Sequence, residues 1–305
     1  MSVKVLVLGG TGMLGHMVQK VLSTDKHLSV NATHLTDPSD LLFFNVEQGL
    51  DKLELICRAG KVCEYIINCI GITSANIKPD KPASLIKAID INSVFPHQLG
   101  LFCLSRDIRM IHMSTDGVFS GRSNTYDEES ECDCLDFYGK TKCLGEVLNN
   151  TSVINIRCSI IGHSPYEKGG LWEWFCSQPP GAVINGYTNH LWSGVTTYQF
   201  AELCRRIITQ NCFQRLRMES PVFHFAPNQP VSKYELMNIF KSVLERDIVI
   251  NPSEHPHGIV KRLLISKFSA FKELFNQNLR MELSIKELMN FIDTNNIHKF
   301  QHERK

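Results

Sequence analysis

Short apolar runs alternate with helix-patterned segments along the first half of the chain. The runs predict β-strands over residues 3–8, 28–33, 41–44, 65–71 and 110–113. Between them, apolar residues at helical spacing predict a helix through residues 17–22, another over 47–58, and a long one over 80–105 that Pro96 bends or splits. This repeated order predicts an α/β fold of the Rossmann type, with a doubly wound parallel sheet.

The repeat stops near Ile161, and a second, smaller unit is predicted beyond it. We expect residues 1–160 to form a dinucleotide-binding Rossmann domain, to which residues 195–225 return. Residues 161–194 and 226–305 are then a C-terminal α/β domain that binds the substrate. In this domain Ser232 and Glu235 have the spacing of a helix capping box, ahead of an apolar stripe.

A glycine-rich turn directly follows the first predicted strand and precedes the first helix. Gly9 permits the tight turn, Gly12 lets a pyrophosphate approach the helix N-terminus, and Gly15 lets helix and strand pack closely. Strand, glycine turn and helix in this order predict a dinucleotide site. Its expected contacts are Gly9, Thr11, Gly12, Met13, Leu14, Gly15, Asn45, Cys69, Ile70 and Gly71.

The predicted cofactor is NADP, with NAD as an alternative. NAD-binding folds usually carry a carboxylate at the end of the second strand, where it binds the ribose hydroxyls. Here the strand over residues 28–33 continues into His34, and the first acid is Asp37. Without an acid at the strand end, a 2′-phosphate is not repelled.

Tyr138 and Lys142 lie four residues apart at the start of a predicted helix, and therefore on one face of it. A tyrosine hydroxyl has a pKa of about 10. We expect the Lys142 ammonium to lower that pKa, so that the phenol can exchange a proton with a carbonyl oxygen. Thr115 and Asp116 follow the strand over 110–113, at the sheet edge where parallel α/β folds bind ligands.

Four blocks of the chain resemble extended short-chain dehydrogenases/reductases, and among them the dTDP-4-dehydrorhamnose reductase family of nucleotide-sugar reductases. They are Gly-Gly-Thr-Gly-Met-Leu-Gly at 9–15, Ser-Thr-Asp-Gly-Val-Phe-Ser-Gly at 114–121, Tyr126 with Glu128 or Glu129, and Tyr-Gly-Lys-Thr-Lys at 138–142 with Gly145-Glu146. The resemblance covers the first 165 residues well and continues more thinly beyond them.

The resemblance implies a role for each matching residue. Tyr138 protonates a sugar ketone, Lys142 holds the nicotinamide ribose, Thr115 hydrogen-bonds the carbonyl oxygen, and Asp116 orients sugar hydroxyls or assists protonation. The related dehydratases carry Glu after the Asp, and the reductases Tyr, whereas this chain has Gly117. The missing acid favours simple ketone reduction over dehydration.

Aromatic residues beyond the repeat provide candidate substrate contacts. Trp172 and Trp192 could stack a nucleotide base, and Asn189 could contact the diphospho-sugar. Core packing of the tryptophans and a plain loop at Asn189 are the alternative interpretations.

Composition excludes several other classes. Lys+Arg 32 against Asp+Glu 31 leaves no basic excess for nucleic acid. No run approaches the roughly 18 apolar residues of a membrane span, and the chain starts in a strand rather than a signal peptide. Eleven scattered cysteines indicate reduced thiols and a cytoplasmic location. No cysteine or histidine spacing predicts a metal site.

The predicted function is NAD(P)H-dependent reduction of the keto group of a nucleotide-diphosphate 4-keto-6-deoxy sugar, in deoxysugar or polysaccharide biosynthesis. An epimerase/reductase is one alternative, with Cys158, His163 or His190 as a further acid or base. A non-catalytic NADP-binding subunit, similar to the regulatory subunit of methionine adenosyltransferase, is another. The sugar, the nucleotide, the product stereochemistry and the oligomeric state, for example a homodimer, stay open.

Overall fold

Parallel strands form the centre of the molecule. The computed structural model describes residues 2–59, 63–165, 169–256 and 258–297. The strands are, in chain order, β1 (Val3–Leu8), β2 (Leu28–Ala32), β3 (Tyr65–Asn68), β4 (Arg109–Thr115), β5 (Val153–Cys158), β6 (Ile160–Ile161), β7 (Ala182–Tyr187), β8 (His190–Trp192), β9 (Val195–Thr196), β10 (Val222–His224), β11 (Val231–Ser232), β12 (Ile248–Ser253) and β13 (Val260–Arg262).

Helices connect most of these strands. They are, in chain order, α1 (Met13–Leu22), α2 (Asp51–Ala59), α3 (Pro82–Ile89), α4 (Phe95–Leu104), α5 (Phe137–Leu144), α6 (Leu171–Cys176), α7 (Thr197–Thr209), α8 (Phe213–Glu219), α9 (Lys233–Val243), α10 (Ser269–Lys272) and α11 (Met281–Thr294).

The main sheet has six parallel strands in the order β10-β5-β4-β3-β1-β2. Its inner strands are apolar on both faces, because helices cover both sides. One face packs on α1 and α7, and the other on α2 and α4. The predicted Rossmann-type α/β sheet is therefore present. The carboxyl ends of β1, β3, β4 and β5 point to one edge.

The strand predicted over residues 41–44 was wrong. Only one parallel bridge, between His34 and Phe43, forms there. Phe43 and Phe44 are buried, and Phe44 packs against the ring of Phe95. The apolar run at 41–44 thus reflects burial of the two phenylalanines rather than a strand, and β2 remains the edge strand of the main sheet.

The long predicted helix is continuous but changes its winding. A π-helical segment, Asp90–Val94, joins α3 to α4. Pro96 explains the change, because proline lacks an N–H and its ring clashes with the carbonyl four residues earlier, that of Asn92. Widening this turn lets the helix pass the proline without breaking.

The C-terminal part contains small sheets with the orders β11-β8-β13, β12-β7 and β6-β9. Its core is continuous with one face of the main sheet through α7, and β10 joins the main sheet as an edge strand. The predicted division into two domains stays a prediction. Its last residues, 298–305, lie outside the described residues.

Glu128 connects the two parts of the molecule. Its carboxylate accepts hydrogen bonds from His224 N (2.9 Å), Ser266 Oγ (2.6 Å) and Lys267 N (3.0 Å). Nearby, the Tyr126 ring stacks on Phe119, and the hydroxyl accepts from the backbone of the loop before it. The block containing Tyr126 and Glu128 therefore fixes how the C-terminal part sits on the main sheet.

Across the described ranges, no helix combines the length and the apolar composition needed to cross a membrane.

Candidate active site

A cavity of about 420 Å³ opens at the carboxyl ends of β1, β3, β4 and β5. It brings together residues that the sequence places more than a hundred positions apart. Those predicted residues that line it are Gly12, Met13, Leu14, Cys69, Ile70, Gly71, Thr115, Asp116, Tyr138 and Lys142. Ser159 and Arg262, which were not predicted, also line it.

The glycine turn forms one end of the cavity. Gly9 has φ +82°, a backbone conformation that favours glycine. A Cβ on Gly15 would stand 2.1 Å from the Gly9 carbonyl oxygen, so α1 can pack on the turn only with glycine there. Gly12 is the N-cap of α1, and no side chain caps the helix. Its N-terminal amides thus lack a side-chain acceptor.

The end of β2 supports this turn from the side. Thr33 Oγ1 accepts a hydrogen bond from Gly9 N at 3.0 Å, and Gly10 N donates to the Thr33 carbonyl at 2.8 Å. No local sequence signal marks Thr33 as part of the site. Only the fold, which puts β2 beside β1, brings it to the turn.

Thr115 and Asp116 form the floor of the cavity at the end of β4. Both are buried, and the Thr115 hydroxyl accepts a hydrogen bond from Gly117 N at 3.0 Å and donates to Asp116 Oδ1 at 3.3 Å. Burial raises the pKa of Asp116, while Arg262, Lys233 and hydrogen bonds from Thr115 and Ser159 lower it. Burial is the largest of these effects, so the pKa of Asp116 lies above its ordinary value.

Tyr138 stands beside Thr115 at the N-terminus of α5. Asp136 caps this helix, since its carboxylate accepts from Gly139 N at 2.8 Å. Burial raises the pKa of Tyr138 to about 12, although a hydrogen bond with Thr115 lowers it. The prediction that Lys142 lowers the pKa of Tyr138 was wrong, because desolvation on burial is the dominant effect and raises that pKa. The protein therefore keeps Tyr138 protonated, as a proton donor requires.

Lys142 reaches back from α5 to the end of β4. Its ammonium donates to the Met113 carbonyl at 2.7 Å, and burial lowers the pKa of Lys142 to about 8. His112 lies close by, with a pKa well below its usual value because of burial and the neighbouring Lys142. Its Nδ1 accepts from Asn68 Nδ2 at 3.1 Å, and neutral His112 adds no charge beside Lys142.

Asn92 supports the cavity from outside its lining, and its place inside a helix gives no sequence signal of this role. Although it lies inside the long helix, it is fully buried, and its amide bridges the loop after β3 to α5. Oδ1 accepts from Ile72 N at 2.8 Å, while Nδ2 donates to the Ile72 carbonyl and to Thr141 Oγ1. Asn92 therefore positions two walls of the cavity relative to each other.

Lys233 and Arg262 bring positive charge to the cavity from the C-terminal part. Trp192 in β8 lies between β11 and β13 and pairs with Arg262 in register. Lys233, the residue after β11, holds its ammonium 4.6 Å from the Trp192 ring centroid. Both cations lower the pKa of Asp116. No local sequence signal identifies them, because only the small sheet brings them there.

Seven predicted contacts do not line the cavity among the described residues. Trp172 and Trp192 are 4% and 3% exposed and belong to the core, which contradicts base stacking on their faces. The Asn45 side chain caps the turn at Glu47, and Asn189 binds the backbone of His255 and Gly258. The other three, Gly9, Thr11 and Gly15, belong to the glycine-rich block at 9–15 but lie outside the lining.

The remaining candidate acids and bases have structural partners or are held neutral. Cys158 lines the cavity, but burial raises its pKa well above the usual value. His163 is hydrogen-bonded to Glu173 at 2.9 Å, and burial lowers the pKa of His190 to about 4. Within the described residues, no three His, Cys, Asp or Glu side chains cluster as a metal site would.

Residues 3–171 match the family model described as the RmlD substrate binding domain. A curated dTDP-4-dehydrorhamnose reductase of Mycolicibacterium smegmatis is 27% identical over 152 residues, which is 48% of this chain and 41% of that protein. The chain thus matches less than half the length of this relative.

Solved structures match over nearly the whole chain. A dTDP-4-dehydrorhamnose reductase from Yersinia enterocolitica has a TM-score of 0.73 at 18% identity, covering 95% of this chain and 99% of that one. One from Bacillus anthracis, in complex with NADP, has a TM-score of 0.70 at 16% identity, covering 95% and 98%. At this identity, these matches establish the fold.

Proposed function

Because this chain belongs to the RmlD substrate binding domain family, we propose that it reduces the keto group of a nucleotide-diphosphate 4-keto-6-deoxy sugar, with NADPH as the reductant. The observation that carries this proposal is the meeting of Thr115, Tyr138 and Lys142 in one cavity, where burial raises the pKa of Tyr138 to about 12. A role in deoxysugar or polysaccharide biosynthesis follows from such a product. A cytoplasmic location stays a prediction.

The cavity has the features that a dinucleotide requires. The uncapped N-terminus of α1, with Gly12 at the cavity surface, suits a pyrophosphate, because its free amides and the helix dipole attract anions. Lys142 and the chain at Cys69, Ile70 and Gly71 would hold the nicotinamide end. When bound, the reduced dinucleotide supplies a hydride. NADP is favoured over NAD because β2 ends without a carboxylate.

The residues at the end of β4 and the start of α5 can complete the reduction. Hydride addition to a ketone leaves negative charge on its oxygen. The Tyr138 hydroxyl would donate its proton to that oxygen, and the Thr115 hydroxyl would turn from Asp116 to donate a hydrogen bond to it. A pKa of about 12 keeps Tyr138 in the donating form throughout the neutral range.

Gly117 favours reduction over the dehydratase reaction. A Cβ there would stand 3.2 Å from the Tyr138 ring and 3.3 Å from Thr115 Oγ1, so a side chain at this position would enter the reaction site. This chain carries no side chain there, and therefore no acid at position 117 beside Tyr138. An epimerase also needs another acid or base, and the protonated Cys158 and neutral His190 give that alternative little support.

Asp116, with Lys233 and Arg262 nearby, would bind the sugar part of the substrate. As a carboxylate, Asp116 can accept hydrogen bonds from sugar hydroxyls, and the cations favour that ionised form. The nucleotide and the exact sugar remain open.

The test is the replacement Tyr138→Phe, assayed with a panel of 4-keto-6-deoxy sugar nucleotides by the loss of NADPH absorbance. Loss of the proton donor should lower kcat by about 10²- to 10⁴-fold. NADPH binding, followed by fluorescence, should change little. Tyr198→Phe on α7, whose hydroxyl lies outside the cavity, is the control and should behave as wild type.

A Tyr138→Phe variant that reduces the sugar as fast as wild type would falsify the assigned mechanism. NADPH binding without reduction of any member of the panel would favour the non-catalytic subunit instead. Incorporation of deuterium from solvent at C3 or C5 of the sugar would favour an epimerase.

We also propose that two copies associate through the outer face of α4 and α5. Val94, Leu101 and Leu104 lie on one side of α4 and its preceding turn, all exposed. His97 on the same side bonds to the Leu144 carbonyl at the end of α5, so Leu144 and Leu148 extend this face. A contiguous exposed apolar face favours a protein partner, and a homodimer would cover it.

A further inference from the structure

The carboxyl end of β4 is supported unequally by its two neighbouring strands. On one side, β3 pairs with β4 only as far as Asn68 opposite His112. On the other side, β5 continues to Cys158 opposite Thr115. The end of β4 that carries Thr115 therefore has a strand partner on one side only. In the proposed reaction, however, the Thr115 hydroxyl must be held at a fixed place.

The segment that forms and follows α5 supports this strand end on its open side. Glu146 Oε1 accepts a hydrogen bond from Ser114 Oγ at 2.6 Å. Four positions before Glu146, the Lys142 ammonium donates to the Met113 carbonyl at 2.7 Å. Two consecutive residues of β4, Met113 and Ser114, are thus tied to the segment that also carries the proposed proton donor.

The Glu146 carboxylate is itself held from the far side. Arg157, which pairs with Ser114 in register between β4 and β5, donates to Oε1 and Oε2 of Glu146, both at 2.7 Å. A further nitrogen of Arg157 donates to Nε2 of His224, its partner in register on β10, at 3.3 Å. All four side chains are buried. A polar row across three strands therefore ends at Ser114.

Stability alone does not account for this buried ion pair. The desolvation of two charges roughly cancels their attraction, so apolar side chains of similar size could stabilise the core as well. Apolar side chains do not fix a direction, whereas the two parallel bonds from Arg157 hold the Glu146 carboxylate in one orientation. That orientation presents Oε1 to Ser114, the residue directly before Thr115.

We propose that Ser114 and Glu146 are positioning residues for the reduction: Glu146, anchored by Arg157, holds the end of β4 through Ser114 and so places the Thr115 hydroxyl relative to Tyr138. The Ser114 hydroxyl is engaged by Glu146, so it acts through Thr115 rather than on the substrate. This inference rests on the proposed reductase function.

The position of the Thr115 hydroxyl can be followed without any substrate. Thr115 Oγ1 accepts a hydrogen bond from Gly117 N at 3.0 Å. Because a hydrogen-bonded amide exchanges its proton with solvent only when the bond opens, the exchange rate of the Gly117 amide reports how firmly Thr115 is held. Nuclear magnetic resonance of the full-length chain measures that rate.

The experiment compares Ser114→Ala with wild type. Loss of the bond to Glu146 should lower kcat by about tenfold, because small displacements of reacting groups are costly in rate. KM and NADPH binding should change by less than about twofold, since the dinucleotide contacts stay in place. Exchange of the Gly117 amide should accelerate by about tenfold, because its acceptor is held less firmly.

Ser220→Ala is the matched control. Ser220 is also buried, and its hydroxyl donates to the Val222 carbonyl at 2.7 Å and accepts from Val222 N at 3.1 Å, outside the cavity. The control thus loses buried hydrogen bonds too, but its kcat and its Gly117 exchange should equal those of wild type. Equal effects of both replacements would show a general loss of stability and overturn the positioning role.

A double-variant cycle identifies the route. If Ser114 acts through Thr115, Ser114→Ala should have little further effect on kcat in a Thr115→Val background. The same loss in both backgrounds, or unchanged Gly117 exchange in Ser114→Ala, would overturn the inference. Because the exchange is read without substrate, faster Gly117 exchange in Ser114→Ala of a protein that reduces no keto sugar would support the contact and contradict the proposed function alone.

Discussion

At the level of single residues, burial decides the protonation states in the cavity more than neighbouring charges do. Burial is the largest cause of the raised pKa of Tyr138 and of Asp116 and of the lowered pKa of Lys142. Burial thus favours the neutral form of an acid, and it favours the neutral form of a base in the same way. The sequence places Lys142 near Tyr138, but it cannot show how deeply either is buried.

Asp116 is the residue whose ionisation should be visible in the pH profile. The Lys233→Met replacement removes a cation that lowers the pKa of Asp116, so that pKa should rise. If the carboxylate form binds the sugar, the acid limb of kcat/KM must then move to higher pH, because more of Asp116 is protonated at a given pH. Steady-state kinetics with the cognate sugar nucleotide across the acid range measures this.

Lys241→Met on the same helix, α9, is the matched control, because Lys241 is exposed and away from Asp116. Its profile should equal that of wild type. An unchanged acid limb in Lys233→Met would show that Asp116 does not need to be ionised for sugar binding.

At the level of elements, the contact between α5 and the π-helical turn keeps the Tyr138 helix in place. Gly145, the C-cap of α5, rests on the Asn92 carbonyl, and a Cβ there would stand 1.8 Å from that oxygen. The next residue, Glu146, accepts two 2.7 Å hydrogen bonds from buried Arg157 and one from Ser114. These contacts explain why Gly145 and Glu146 follow the tyrosine block.

The replacement Gly145→Ala should therefore separate α5 from Asn92. We expect the free energy of unfolding to fall by about 3 kcal/mol, because backbone rather than a flexible side chain must move. Urea denaturation followed by circular dichroism measures the change. Gly169→Ala is the control, since a Cβ there meets no atom within 4 Å. Equal stability of both variants would contradict the tight contact.

Elements with a distinctive local sequence pattern were predictable. Features that depend on contacts between distant parts of the chain were not. The glycine turn, β4 and α5 follow from apolar periodicity, spacing and family likeness, which together located Thr115, Tyr138 and Lys142. The apolar run at 41–44 does not distinguish a strand from a buried loop. Lys233 lies 117 positions beyond Asp116, and only the packing of β11 and β13 around Trp192 brings its charge to the cavity. The same packing buries Trp192.

At the level of the whole molecule, the main sheet and the C-terminal part share one continuous core, so the cavity lies between parts that fold together. Glu128 links them through His224, Ser266 and Lys267. None of the exposed apolar residues on the outer face of α4 and α5 lines the cavity. Association through that face would therefore not use residues that line the cavity.

The proposed homodimer predicts how a single charge should act on that face. Leu101 is 66% exposed, and Leu101→Glu would bury an unpaired carboxylate in the interface. The dissociation constant should rise at least about tenfold, which corresponds to about 1.4 kcal/mol. Sedimentation velocity over a range of concentrations should show wild type at about twice 34.6 kDa and the variant shifted toward one chain. Leu55→Glu on α2, 56% exposed, is the control and should leave association unchanged. A wild-type protein that stays a single chain at all concentrations would contradict the homodimer and would indicate that a different protein covers this apolar face.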